Sequence, residues 1–92
     1  MKAIVCEKPY RFAMKETALP ERREGEALIR IRRIGICGTD LHAYRGNQPY
    51  FVYPRILGHE LAAEVVDIGA NGQGLRPGDR VAVMPYRECG RC

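Results

Sequence analysis

The chain has 92 residues, of which 46% are hydrophobic and 28% are charged, as in one small globular domain. Its net charge of +4 comes from 15 basic and 11 acidic residues, and the arginines are spread from Arg11 to Arg91, which argues against a nucleic-acid partner and for a solvated surface. No apolar run approaches the roughly 20 residues of a membrane helix and the N-terminus has no signal-peptide pattern, so we expect a cytoplasmic protein with no membrane partner.

The residue pattern in the first third of the chain predicts three short strands. Residues 2–7 are rich in Ile and Val, and residues 12–17 follow a proline break as the partner strand of a hairpin. Within residues 27–34, Ile29 and Ile31 alternate with Arg30 and Arg32, which is the period of a half-buried strand.

The residue pattern in the rest of the chain predicts little helix and two further strands. Residues 41–45 form one or two helical turns, with Thr39 or Asp40 as the cap. Strands follow at residues 61–68 and 80–84, and glycine-rich or proline-rich turns separate them. Many short strands with so little helix predict a mainly β sandwich or small barrel. No G-x-G-x-x-G follows a strand, so these residues contain no dinucleotide-binding unit.

Four cysteines occur in the chain, and without a signal peptide we expect metal binding or catalysis rather than disulfides. Cys6 lies in an apolar run and is predicted to be a small buried hydrophobic residue. Cys89 and Cys92 form a C-x-x-C pair, which is half of a four-cysteine zinc site. Because the chain stops on the second of these sulfurs, we expect it to be a fragment of a longer protein.

Two glycine-flanked clusters contain the residues suited to chemistry. The first is Gly-Ile-Cys-Gly-Thr-Asp-Leu-His, with Cys37 at its centre, and the second is Gly-His-Glu, with His59. A catalytic zinc takes three protein ligands from Cys, His and carboxylate residues and leaves the fourth position open. The 22-residue separation of Cys37 and His59 is by itself equally compatible with an incidental buried cysteine and a hydrogen-bonded core histidine.

Four motifs in order resolve that ambiguity: G-I-C-G-T-D-L-H, L-G-H-E, P-G-D-R-V and P-Y-x-x-C-G-x-C. Together they resemble the zinc-dependent medium-chain alcohol dehydrogenases, and the resemblance spans nearly the whole chain. It is nearest to the sorbitol, galactitol and threonine dehydrogenase type, because Gly38 rather than a basic residue follows Cys37. The resemblance implies a GroES-like β fold with short helical turns. Residues 1–92 would be the N-terminal part of this catalytic domain, with a Rossmann domain for NAD or NADP beyond them.

The resemblance also implies a catalytic zinc site. Cys37 and His59 match two of the zinc ligands, and a third permanent ligand is expected beyond residue 92. Glu60 matches the acidic neighbour that joins the metal transiently, with an outer hydrogen-bonding role as the alternative. Thr39 matches the hydroxyl that accepts the alcohol's proton, and His42 the end of the relay that passes it to solvent.

Other roles stay open at this level. Thr39 and Asp40 could act only as helix caps, Asp40 could instead form a local hydrogen bond, and His42 could be an ordinary surface histidine. The aromatic residues Tyr50, Phe51 and Tyr53 could line a substrate pocket, cover the core or face another subunit. Cys89 and Cys92 match the first two of four thiolates around a structural zinc.

The expected reaction is the reversible oxidation of a secondary alcohol, a polyol or a sugar acid to a ketone, by a homo-oligomeric enzyme that uses zinc and NAD or NADP. The fragment itself is expected to be inactive. Zinc-free quinone or enoyl reductases are disfavoured, because they generally lack the Cys37 and His59 pair. A stand-alone zinc-binding or interaction module with a GroES-like fold is the alternative from another class. Two more cysteines and a G-x-G-x-x-G beyond residue 92 would favour the dehydrogenase.

Overall fold

Residues 1–91, which the computed structural model describes, form five strands and one short helix. In chain order these are β1 (Lys2–Lys8), β2 (Arg11–Glu16), β3 (Ala27–Gly35), α1 (Gly38–Tyr44), β4 (Glu60–Ile68) and β5 (Arg80–Ala82). The mainly β fold predicted from the sequence is confirmed. Among these residues, no helix is long and apolar enough to span a membrane.

The first two strands pair as an antiparallel hairpin, with Lys2 opposite Glu16 and Cys6 opposite Phe12. This is the hairpin that the sequence predicts. Cys6 is fully buried, as expected for a small hydrophobic residue, and its thiol donates to the Lys8 carbonyl at 3.3 Å. Its backbone also exchanges two hydrogen bonds with Arg55, so the loop before the Gly-His-Glu motif is fastened to β1.

The other three strands form an antiparallel sheet in the order β3-β4-β5. Two register irregularities interrupt β3, between Leu28 and Ile29 and between Ile31 and Arg33. They break the simple alternation predicted for this strand, and Ile31 remains 39% exposed. β5 is shorter than predicted and ends at Ala82, three residues before a proline that has no N–H for a longer ladder.

An exposed ion pair connects β3 and β4. Arg32 Nη2 lies 2.9 Å from Glu64 Oε2 across the β3-β4 ladder. The hydrogen bond from Arg32, reinforced by its charge, holds the pKa of the Glu64 carboxyl below its usual range. The arginines in this part of the sheet therefore form the solvated surface that the sequence predicts.

Helix α1 begins three residues earlier than predicted, and its N-cap is Cys37 rather than Thr39 or Asp40. Cys37 has the extended backbone of an N-cap, with φ −106° and ψ 158°. Asp40 occupies the third helical position, and its Oδ2 accepts the Cys37 N–H at 3.0 Å, which is the reciprocal half of a capping box. Asp40 thus stabilises the helix start from inside the first turn.

The C-terminal end of α1 is held against the hairpin. The Tyr10 N–H donates to the Tyr44 carbonyl at 2.8 Å, and the Tyr44 hydroxyl donates to the Tyr10 carbonyl at 3.0 Å. The Tyr44 ring also stacks on Phe12, with ring centroids 4.9 Å apart. Contacts at both ends of this short helix therefore fix the position of its first turn, which carries Cys37, Thr39 and Asp40.

Candidate metal centre

The pairing of β3 with β4 brings the two glycine-flanked clusters together. Gly35 at the end of β3 lies opposite Glu60 at the start of β4. Cys37 follows β3 by two residues, and His59 immediately precedes β4. Gly58 has φ +109°, a conformation that a residue with a side chain rarely adopts, so glycine permits the turn that delivers His59.

Cys37, His59 and Glu60 converge at this junction. Each can offer one ligand atom such that all three atoms lie within 4.8 Å of one another. Within residues 1–91 this is the only group of three or more His, Cys, Asp or Glu side chains that converges in this way. Cys37 and His59 are half-buried and Glu60 is exposed. Sulfur, imidazole nitrogen and carboxylate oxygen form a donor set that suits zinc, and their exposure leaves room for a further ligand.

Asp40 connects the two predicted zinc ligands. Its Oδ1 lies 3.3 Å from His59 Nδ1, while its Oδ2 accepts the Cys37 N–H. The Asp40 side chain is only 16% exposed. A carboxylate that holds one imidazole nitrogen leaves the other, Nε2, as the nitrogen available to a metal. The sequence indicated only capping or local bonding for Asp40, and this contact was missed because it depends on tertiary structure.

A recess of about 90 Å³ adjoins the cluster, and both Thr39 and His59 line it. The structure thus places the predicted proton acceptor beside a predicted ligand. His42 is exposed, lies one helical turn after Thr39 and does not line this recess. The two proposed relay residues are therefore on one helix, but only Thr39 is at the recess.

Arg55 and Phe51 also line the recess, and sequence reasoning missed the arginine. The Arg55 guanidinium carbon lies 3.6 Å from the centroid of the Phe51 ring, a cation–π contact. Its Nε is buried and has no hydrogen-bond partner among the described residues. The only available signal was a charged residue in the otherwise apolar segment Tyr-Pro-Arg-Ile-Leu before the Gly-His-Glu motif.

The other aromatic residues of this loop have different roles. The Tyr53 hydroxyl donates to the Ala43 carbonyl and ties the loop to α1. Tyr50 is 99% exposed. Of the aromatic residues considered from sequence, Phe51 therefore contributes to the recess, while Tyr53 supports its wall.

Only Cys89 of the second predicted zinc site lies within the described residues. Cys89 is exposed, and its sulfur accepts the Arg91 N–H at 3.4 Å. It does not belong to the converging group of Cys37, His59 and Glu60. Cys92 lies outside the described residues. The structural zinc site therefore stays a prediction.

Comparison with known proteins agrees with this architecture. The L-galactonate-5-dehydrogenase of Escherichia coli K12 is 47% identical over 92 residues, and the L-threonine 3-dehydrogenase of Pyrococcus horikoshii is 43% identical over 96. A crystal structure of an alcohol dehydrogenase from E. coli CFT073, complexed with NADH, superposes with a TM-score of 0.85 at 40% identity. All of this chain is covered in each case, but only 27%, 28% and 26% of these proteins.

A family model supplies the remaining evidence. The model described as the alcohol dehydrogenase GroES-like domain matches residues 23–92, which include β3, α1 and the three converging side chains. The resemblance read from the four motifs and the GroES-like fold are thereby confirmed. The chain belongs to the alcohol dehydrogenase GroES-like domain family.

Proposed function

We propose that Cys37, His59 and Glu60 hold the catalytic zinc of an NAD- or NADP-linked dehydrogenase that oxidises a secondary alcohol, polyol or sugar acid to a ketone. The convergence of their three ligand atoms within 4.8 Å is the observation that carries this proposal. A zinc ion bound there would act as a Lewis acid and lower the pKa of a coordinated hydroxyl. One thiolate and one neutral imidazole would leave the metal positively charged, and Glu60 would join it only transiently, so the zinc would remain a Lewis acid.

The chain's own residues would orient the metal ligands and move the proton. Asp40 holds His59 through Nδ1 and the Cys37 backbone through its N–H, so one carboxylate orients both ligands. Thr39, at the recess, would accept the alcohol's proton through its hydroxyl, which can accept and donate at once. His42 lies three residues further along α1, on the same side of the helix, and would pass that proton to solvent.

Arg55 favours an anionic substrate within this class. Arg55 lines the same recess as Thr39 and His59, and no carboxylate of the described residues forms a salt bridge with its guanidinium. A guanidinium is a good partner for a carboxylate, so a sugar acid fits this recess better than a neutral polyol. The similarity to an L-galactonate dehydrogenase, which by its name acts on a sugar acid, supports the same choice.

The chain would be the N-terminal part of a longer protein. It spans about a quarter of the relatives it matches. Several large apolar side chains are exposed, including Ile36 at 80% and Tyr86 at 81%, which suits surfaces that further chain covers. A Rossmann domain for the hydride acceptor would follow, and Cys89 and Cys92 would join two later thiolates around a structural zinc. The NADH complex of the E. coli CFT073 relative supports the cofactor.

The test uses the full-length protein, meaning the translation of the complete reading frame. Purified with zinc, it should reduce NAD or NADP with secondary alcohols, polyols or sugar acids, and chelation should abolish this activity until zinc is restored. Tight zinc binding through Cys37 without turnover of any such substrate would instead support a non-catalytic zinc-binding module. Absence of metal binding would refute the proposal altogether.

A further inference from the structure

Gly35, at the end of β3, lies very close to a side chain of the neighbouring strand. Gly35 lies directly opposite Glu60 in the antiparallel ladder, where the two strands meet the candidate metal centre. Its φ lies outside the left-handed region, so backbone conformation does not require glycine at this position. The reason for a glycine must therefore be sought in the space around it.

That space is filled by the Glu60 side chain. A Cβ built on Gly35 would lie 2.5 Å from Glu60 Oε2 and 3.0 Å from Glu60 Cβ. Opposite residues of an antiparallel pair normally keep their Cβ atoms about 4.5–5.5 Å apart. The Glu60 carboxylate thus folds across Gly35 and occupies the volume that any other residue's side chain would need.

We propose that Gly35 is a positioning residue whose missing side chain provides the space in which the Glu60 carboxylate lies beside Cys37 and His59. This inference rests on the proposed function, because it assigns Glu60 to the metal centre. Glu60 is exposed, so a displaced carboxylate has solvent to enter. Any side chain at position 35 would therefore remove the oxygen donor from the cluster while leaving the sulfur and nitrogen donors in place.

The same motif supplies a matched control. Gly38, three residues later, also lies outside the left-handed region, and a Cβ there would meet no heavy atom within 4 Å beyond its own helix. Full-length Gly35→Ala, Gly38→Ala and wild-type proteins are stripped of metal and titrated with Co²⁺, and affinity and ligand-field spectrum are recorded. The Co²⁺ affinity of Gly35→Ala should be about 10- to 100-fold lower than that of wild type, which is the range for loss of a group that supports a metal site. Its ligand-field spectrum should also change. Gly38→Ala should match wild type in both.

A double-mutant cycle identifies the cause. If Gly35 acts through the carboxylate, Gly35→Ala should cause no further loss of Co²⁺ affinity in a Glu60→Ala background. The short Cβ–Cβ contact persists in that background, so any general distortion of the strands by the added methyl group would still be present there. Full additivity of the two losses would therefore show that Gly35 serves only the fold, and would overturn the inference.

The unfolding midpoint of the metal-free proteins provides a second readout. A purely structural role predicts that Gly35→Ala lowers this midpoint while Co²⁺ affinity falls only in proportion to the unfolded fraction. Equal affinities of Gly35→Ala and Gly38→Ala would refute the positioning role and leave the proposed function standing. If wild type does not bind Co²⁺, or binds it equally well without Cys37, the proposed function itself fails. Failure of the positioning role and failure of the proposed function therefore give different results.

Discussion

The candidate metal centre and the cysteine-containing end of the chain are both expected to bind zinc, but the first lies where two strands and a helix meet, whereas Cys89 lies outside the strands and the helix of residues 1–91. At the first, strand pairing brings Cys37, His59 and Glu60 together, and the Asp40 carboxylate contacts both Cys37 and His59. At the second, the described part contains only exposed Cys89, with a local contact from the Arg91 N–H.

The difference shows what each site needs in order to form. A sheet register and a capped helix can hold the first site's ligands near each other before metal arrives. Cys89 lies outside the strands and the helix of residues 1–91, so we expect a zinc site there to depend more on its metal and on the other thiolates than on the fold. The first site is thus positioned by the fold, and we expect the second to be organised by its metal.

The most damaging change to the first site should be Cys37→Ala. It removes the thiolate from the converging group, so full-length protein should lose catalytic zinc and turnover together. Metal analysis and alcohol oxidation measured on one preparation test this. Cys6→Ala is the control, since Cys6 is buried away from the cluster and should keep both properties. Near-normal turnover by Cys37→Ala would show that the candidate metal centre is not the catalytic zinc site, and the contrast with the cysteine-containing end of the chain would no longer hold.

Thr39→Ala should be the next most harmful, with metal retained. General acid–base groups typically contribute about 10²–10⁴-fold, so kcat should fall by roughly that factor. Thr39→Ser keeps a hydroxyl and should retain most activity. His42→Ala should lose far less than Thr39→Ala, because His42 does not line the recess and water can replace an outer relay. Equal rates for Thr39→Ala and wild type would disprove the relay.

Local patterns predicted most of the fold. The strands β1, β2 and β4 lie within two residues of their predicted bounds, because β-branched runs and glycine or proline turns mark them clearly. The start of α1 was predicted late because Gly38 is a poor helix former and obscures the first turn. The Cys37 and His59 pair was identified from motifs.

The features that the sequence did not predict depend on the register of the strands and on contacts between residues far apart in the chain. No spacing in the sequence indicates that Asp40 reaches His59, that Arg55 lies over Phe51, or that Glu60 folds across the end of β3. The two irregularities in β3 change which residues face each other, and an alternating pattern carries no information about them. The sequence therefore predicted which side chains converge at the candidate metal centre, but not the contacts that Asp40, Arg55 and Glu60 make around it.

Asp40→Asn tests whether this orientation matters. The amide keeps the size of the side chain but loses the charge beside His59, so metal affinity should fall by about 10- to 100-fold. Asp79→Asn is a close control, because Asp79 Oδ2 also accepts an N–H from three residues earlier, that of Arg76 at 3.0 Å, but lies outside the metal centre. Equal Co²⁺ affinities for the two variants would show that the fold positions His59 without help from Asp40.

The smallest effect on the candidate metal centre is expected from Cys89→Ser. Cys89 is not in the converging group, and a serine hydroxyl is a poor replacement for a zinc-binding thiolate. Full-length Cys89→Ser should therefore contain less zinc and unfold at a lower temperature, while its remaining zinc supports nearly normal turnover at moderate temperature. Metal content, melting temperature and kcat measured together separate the two sites. If Cys89→Ser abolished turnover in protein that is still folded, the two regions would be coupled, and the end of the chain would have to be counted as part of the catalytic centre.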